Sequence, residues 1–207
     1  MKLQDHDLTI RSITQEDTHT LWALGYRDNL EWMKWDGPYF NNPIYTWEEY
    51  CQKVAPKVIN NPRYGALLYQ GEIIGIMASY WEDGDLENWL EFGLSIFVDS
   101  IWGQNIGTRA CRLWISYLFD LFPDIVRVGF TTWSGNIRMM TVGEKLGLQE
   151  EARIRKVRYY NNQYFDSMKY GVLRTEWQKE LDTGKILSFN RFINFPLSHN
   201  VYEPFSK

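Results

Sequence analysis

Residues 96–110 read Ile96-Phe97-Val98-Asp99-Ser100-Ile101-Trp102-Gly103-Gln104-Asn105-Ile106-Gly107-Thr108-Arg109-Ala110. An apolar run ends at Val98, a short loop with glycines at 103 and 107 follows, and an amphipathic helical pattern begins at Ile106. This is a strand, a turn and a helix start. The first backbone N–H groups of a helix have no partner inside it, and the macrodipole places partial positive charge there. A diphosphate fits such a place. Neither the Walker spacing G-x-x-x-x-G-K-[ST] nor the dinucleotide spacing G-x-G-x-x-G is present, so nucleotide-hydrolysing and nicotinamide or flavin sites are not indicated.

Outward from this stretch, the elements alternate. Leu8–Ile13 alternates apolar and polar residues and predicts a first strand. Thr14, with Asp17 three residues on, predicts a helix N-cap. Residues 28–45 lose periodicity but hold Trp32, Trp35, Tyr39, Phe40 and Tyr45 around Gly37-Pro38 and Pro43, as a loop folded over something would. Thr46-Trp47-Glu48-Glu49 is a capping-box pattern, predicting a helix to about Val58 despite Pro56. Residues 64–69 and 73–80 predict a hairpin around Gln70-Gly71-Glu72. Residues 89–98 are expected to form the longest strand. A helix over 106–119, a strand over 125–131 and a helix over 136–146 with Gly147 as its cap follow. A hairpin turns at Asn161-Asn162. The predicted order is β-α-α-β-β-β-α-β-α-β-β.

A second group of residues supports the first. Thr132-Trp133-Ser134-Gly135-Asn136-Ile137-Arg138 leads into Gly143-Glu144-Lys145-Leu146-Gly147-Leu148-Gln149-Glu150-Glu151. Arg153-Ile154-Arg155-Lys156, then Tyr164-Phe165-Asp166, then Tyr170-Gly171-Val172-Leu173-Arg174-Thr175-Glu176-Trp177 close the pattern. This ordered set resembles the GNAT superfamily of acyl-CoA-dependent N-acyltransferases, most closely the branch of ribosomal-protein N-terminal acetyltransferases, over roughly residues 8–180. The resemblance implies an α/β GNAT fold, a mixed twisted sheet whose fourth and fifth strands splay apart to admit acetyl-CoA. It implies transfer of an acetyl group to a primary amine, on a small molecule or a peptide, by direct attack in a ternary complex. The alternative is a non-catalytic acyl-CoA-binding or interaction module on the same scaffold.

Carried over position by position, the resemblance implies cofactor contacts. Backbone groups of Gly103, Gln104, Asn105, Ile106, Gly107 and Thr108 would meet the pyrophosphate, and Ile96, Phe97 and Val98 the pantetheine, with Asn136 and Arg138 on the following helix. Two positions depart from the family's [QR]-x-x-G-x-[GA] loop: Trp102 stands for Gln or Arg, and Asn105 for the first glycine. Asn tolerates left-handed backbone, so the turn is expected to survive. Asn136 also reads as a plain helix N-cap. The tyrosine that many members use to protonate the leaving thiolate falls at Gly143 and is absent. Glu91, in Trp89-Leu90-Glu91-Phe92-Gly93, resembles the family's E-x-G and is the expected catalytic base. Glu82, Asp83 and Glu87 are weaker candidates. Trp32, Trp35, Tyr39 and Trp81 are expected to wall the acceptor site.

Composition sets limits. The chain has 207 residues with 44% hydrophobic and 23% charged, enough for one domain with a sizeable core. Net charge is −4, so no basic stripe for nucleic acid is expected. Two cysteines give no disulfide framework, and the three histidines lack metal-ligand spacing, so no metal is expected. With neither a signal peptide nor a membrane-spanning run, the cytoplasm is expected and a membrane is not. Aromatic residues make up 16%, which leaves a homodimer interface open as one use for them. The division expected is an acetyltransferase domain over 1–181 and an aromatic extension over 182–207.

Overall fold

The computed structural model describes residues 1–182, so the extension expected over 182–207 lies almost wholly outside the described residues. Eight strands form one sheet in the order β1-β2-β3-β4-β5-β6-β8-β7. They are β1 Lys2–Asp5, β2 Leu8–Arg11, β3 Tyr64–Tyr69, β4 Glu72–Trp81, β5 Leu90–Ile96, β6 Arg127–Trp133, β7 Gln149–Tyr160 and β8 Gln163–Leu173. The helices are α1 Thr18–Trp22, α2 Trp47–Lys53, α3 Ala55–Val58, α4 Ile106–Leu121, α5 Ile137–Lys145 and α6 Arg174–Asp182. This is the expected α/β order with three additions, β1, α3 and α6.

Strand alternation divides the core between the two faces of the sheet. Leu67, Met77 and Phe92 pack on one face with Trp114 and Leu118 of α4 and Trp177 of α6. Ala66 and Ile76 pack on the other face with Leu21 of α1, Tyr50 of α2 and Val58 of α3. Trp114 is fully buried, and its indole N–H donates to the Ala78 carbonyl at 3.2 Å.

All pairings are antiparallel except β5 with β6, which are parallel and meet at two positions only, Leu90↔Val128 and Glu91↔Gly129. Beyond Gly129 the two strands part, as the resemblance implied. On its other side β5 stays paired to β4 as far as Gly75↔Ile96. The Phe97 amide donates to Ile74 and the Trp89 carbonyl accepts from Glu82, so the odd-numbered residues of β5 bond β4. Antiparallel alternation then turns the backbone groups of Leu94 and Ile96 toward the gap.

Three local expectations change. The helix expected to run to Val58 breaks at Val54, because Pro56 is tolerated only in the first turn of a new helix, α3. The longest strand is β7 with 12 residues rather than β5 with 7, since β7 pairs β8 along a long hairpin. The helix after Asp17 is a single α turn that widens into a π-helical stretch over Ala23–Asp28.

The Thr14 cap is made as the sequence suggests. The amide and hydroxyl of Thr14 donate to the Asp17 carboxylate at 2.8 and 3.0 Å. Arg11 reaches the same carboxylate from β2 through two nitrogens at 2.6 and 2.7 Å. Burial alone would raise the Asp17 pKa, but these bonds outweigh it and hold the carboxyl below its ordinary value. Arg11→Ala leaves a buried carboxylate without its cation and is expected to cost ~2–3 kcal/mol in urea unfolding at neutral pH. Because the folded pKa is depressed, that difference is present above the ordinary carboxylate range and fades as pH falls through the folded value. A loss below ~0.5 kcal/mol would remove the pair from the account of stability.

Candidate active site

The gap between β5 and β6 opens into a cleft of about 710 Å³. At one end lies the N-terminus of α4. Gly103 and Asn105 both adopt left-handed backbone, φ 80° and 62°, so the asparagine takes the turn that the sequence suggested. The first bond inside α4 runs from the Arg109 amide to the Asn105 carbonyl, leaving the N–H groups of Ile106, Gly107 and Thr108 without helical partners. Gly107 lies under the cleft wall: a Cβ there would touch Leu94 at 3.4 Å and Val142 at 3.5 Å. Arg138 and Lys145 of α5 also line this end.

Arg138 is held between two indoles. Its guanidinium lies 4.3 Å from the Trp35 ring centre and 4.5 Å from that of Trp102. Thus Trp102, at the position where the resemblance leads one to expect Gln or Arg, holds an arginine contributed by another element. The Trp102 N–H donates to the Ile96 carbonyl at 3.1 Å and fixes the loop on the end of β5. Unpaired donors, a helix N-terminus and two cations suit a diphosphate with a polar arm.

The other end is aromatic. Trp32, Trp35 and Tyr39 line the cleft, joined by Tyr80 and Phe130. The 28–45 segment is fastened over it by one carbonyl: that of Trp35 accepts from the Trp133 indole at 3.1 Å and from the Asn136 amide at 3.0 Å. The Asn136 side-chain oxygen accepts from the Met139 amide at 3.1 Å. Asn136 is therefore the N-cap of α5 and an anchor for the segment, as well as part of the cleft wall.

Several expected site residues are placed elsewhere. Trp81 neighbours Tyr80 on β4 and so faces the opposite side of the sheet, where its ring packs on Phe122 at 5.0 Å. Phe97 turns its ring into the core against Trp32 at 5.0 Å. Neither Phe97, Val98 nor the exposed Gln104 lines the cleft.

Glu91 is fully buried at the fork and does not line the cleft either. Its Oε1 accepts from the Trp89 indole at 3.0 Å and its Oε2 from the Thr131 hydroxyl at 2.6 Å. Lys169 Nζ stands 3.6 Å away and Arg127 3.8 Å. Tyr80 is its cross-strand partner on β4, and burial together with this carboxylate pushes the phenol pKa upward. A carboxylate so fully engaged is not presented to an amine.

Two carboxylates do line the cleft, Asp36 and Glu82. Glu82 is ion-paired to Lys169 at 2.9 Å. Asp36 has neither an ion pair nor a hydrogen bond among the described residues, and its surface is open to the cleft. Its surface is exposed, yet the surrounding cleft wall partly desolvates it and raises its pKa. Sequence reasoning passed over Asp36 because it sits in the aperiodic Trp35-Asp36-Gly37-Pro38 turn, where an acid reads as turn chemistry.

A family model described as an acetyltransferase (GNAT) domain matches residues 7–149. The chain belongs to the GNAT acetyltransferase family. "Putative ribosomal N-acetyltransferase YdaF" of Bacillus subtilis (strain 168) is 28% identical over 185 residues, covering 86% of this chain and 97% of that protein. A GNAT-family acetyltransferase from Bacillus anthracis superposes with a TM-score of 0.68 at 19% identity, over 85% of this chain and 100% of that one. The spermidine N-acetyltransferase from Vibrio cholerae, solved with CoA and spermine, gives 0.68 at 18% identity, over 84% and 99%. These last two likenesses are of fold. Among the described residues of this GNAT-family chain, no helix is long and apolar enough to cross a membrane, and no cluster of His, Cys, Asp or Glu is placed to hold a metal ion.

Gly143, at the position of the absent tyrosine, has no room for a side chain: a Cβ would lie 2.9 Å from Tyr170 and 3.0 Å from Phe130. Gly143→Tyr is therefore expected to lower stability by at least ~1–3 kcal/mol through overpacking. Thermal melts check this, and an unchanged melting temperature would show that α5 yields there.

Proposed function

We propose that this domain transfers an acetyl group from acetyl-CoA to a primary amine by direct attack, with Asp36 as the general base. The observation that carries the reading is a carboxylate, unpaired among the described residues, that faces the same cleft as the splayed β5 edge. Acetyl-CoA would lie with its diphosphate at the α4 N-terminus and Arg138, and its pantetheine arm along Leu94 and Ile96.

The amine reaches the site as an ammonium ion. Asp36 takes its proton, the nitrogen lone pair attacks the thioester carbonyl, and as the C–S bond breaks the nitrogen gives up a second proton to solvent. The coenzyme A thiolate leaves and is protonated by solvent, tolerable for a thiol whose free pKa is about 8.5. A β5 backbone N–H, that of Leu94, is placed to hold the developing oxyanion. Glu91 is a positioning residue: it fixes Trp89 and Thr131 and, with Glu82 and Glu151, balances the charges of Lys169 and Arg127 behind the wall.

Asp36→Asn is expected to lower kcat by ~10²-fold or more while leaving acetyl-CoA affinity within about twofold. The wild-type kcat/KM should fall on its acid side at a pH above the ordinary carboxylate range, because the base must be ionised and its pKa is raised. The variant should lack that limb. The stability sign runs the other way from Asp17. A raised folded pKa means that the native state holds the proton more tightly than the unfolded chain. Stability is then greatest below the ordinary carboxylate pKa and declines as pH rises through the folded value. Asp36→Asn should therefore melt no lower than wild type at neutral pH. Unchanged kcat would discard Asp36 as base, and acetyl-CoA binding without turnover on any amine would mark a non-catalytic module.

A further inference from the structure

Arg158 lines the acceptor end of the cleft, and no carboxylate among the described residues pairs with it. Its guanidinium lies 4.8 Å from the Tyr39 ring centre and 5.1 Å from that of Phe40. Its Nε is buried without a hydrogen-bond partner. The backbone aims it there. Between Ile154↔Ser167 and Arg158↔Phe165 the β7–β8 register slips, so β7 bulges. Lys156 in the bulge takes φ 55°, and its amide is tied to the Asp166 carboxylate at 2.9 Å. Bulges re-aim side chains, and a strained non-glycine residue held by a dedicated bond marks one that is specified.

Asp36 and Arg158 both act on the Tyr39 phenol, the first raising its pKa and the second lowering it, beneath a larger upward effect of burial. They make no ion pair with each other. One cleft thus presents two charges of opposite sign, neither paired among the described residues, with the Tyr39 ring in the same lining. That is the complement of a zwitterion.

Resting on the acetyl-transfer reading, we infer that the acceptor is a primary amine that also carries a carboxylate. The ammonium faces Asp36, and the carboxylate is gripped by the Arg158 fork over the Tyr39 and Phe40 rings. A free amino acid and the N-terminus of an acidic peptide both offer this chemistry. A polyamine does not: its second cation would meet Arg158.

Steady-state thiol release tests this on matched acceptors: L-phenylalanine against its amide, the peptide amide Ser-Asp-Ala-Ala against Ser-Asn-Ala-Ala, and spermidine. Wild type should favour the acid of at least one pair by tenfold or more in kcat/KM, and which pair responds separates the two sources. Arg158→Gln should erase that preference through KM and leave the neutral partner's kcat/KM within about twofold, which also shows the variant is folded. Arg158→Lys should recover only part of it, because a point charge replaces a fork. Equal use of acid and neutral partner, a preference for spermidine, or an equal loss on both partners in Arg158→Gln would overturn the inference and leave acetyl transfer standing. Acetyl-CoA binding without acetylation of any carboxylate-bearing amine would also overturn it. Failure to bind acetyl-CoA would remove the underlying reading itself.

Discussion

Everything in the site depends on where β5 and β6 stop pairing, and that point is held by one buried carboxylate. Glu91 belongs to the last β5–β6 pair, with Gly129. It gathers Trp89 and Thr131 by hydrogen bonds, with Lys169 and Arg127 beyond. A buried charge is tolerated only when paired and bonded, and removing one partner of such a group is expensive. The knot therefore locks strands β5, β6 and β8 together at the fork. Past it, β5 presents main-chain groups that β6 no longer uses.

The cleft that results is chemically divided. At the α4 end the donors are helix amides and an arginine clasped by Trp35 and Trp102, an arrangement for anions. At the other end the aromatic segment and the β7 bulge set Asp36 and Arg158 apart in a ring-lined space. Trp35 links the halves. Its ring faces Arg138 while its carbonyl takes hydrogen bonds from Trp133 and Asn136. The aromatic surplus of the composition is thus accounted for in part by walls that orient cations, rather than by core volume alone.

Much of the fold was legible because it rests on periodicity and local turn chemistry. The α4 stripe, the left-handed Asn105, the Asn161-Asn162 turn and the Thr14 and Thr46 caps all follow from short-range rules. β1 was missed because four residues give too little pattern, and α6 because its buried face is little more than Trp177. The turn and helix start at the α4 end of the cleft were legible for the same local reasons. The acceptor end was not, since it is assembled from an aperiodic segment, a strand end and a bulge far apart in sequence. Glu91 stood out in sequence through its resemblance to the family's E-x-G, but its surroundings depend on Lys169 and Thr131, which no local pattern announces. Trp81 and Tyr80 differ only in which face of β4 they take.

The central claim is that the β5–β6 gap and the α4 N-terminus together form an acetyl-CoA site. Calorimetric titration of the protein with acetyl-CoA, repeated in the presence of excess ATP, tests it most directly. The account predicts one site with a micromolar dissociation constant that ATP does not abolish, because the pantetheine arm on β5 supplies contacts that a nucleotide lacks. No heat of binding, or binding that the excess ATP abolishes, would contradict it.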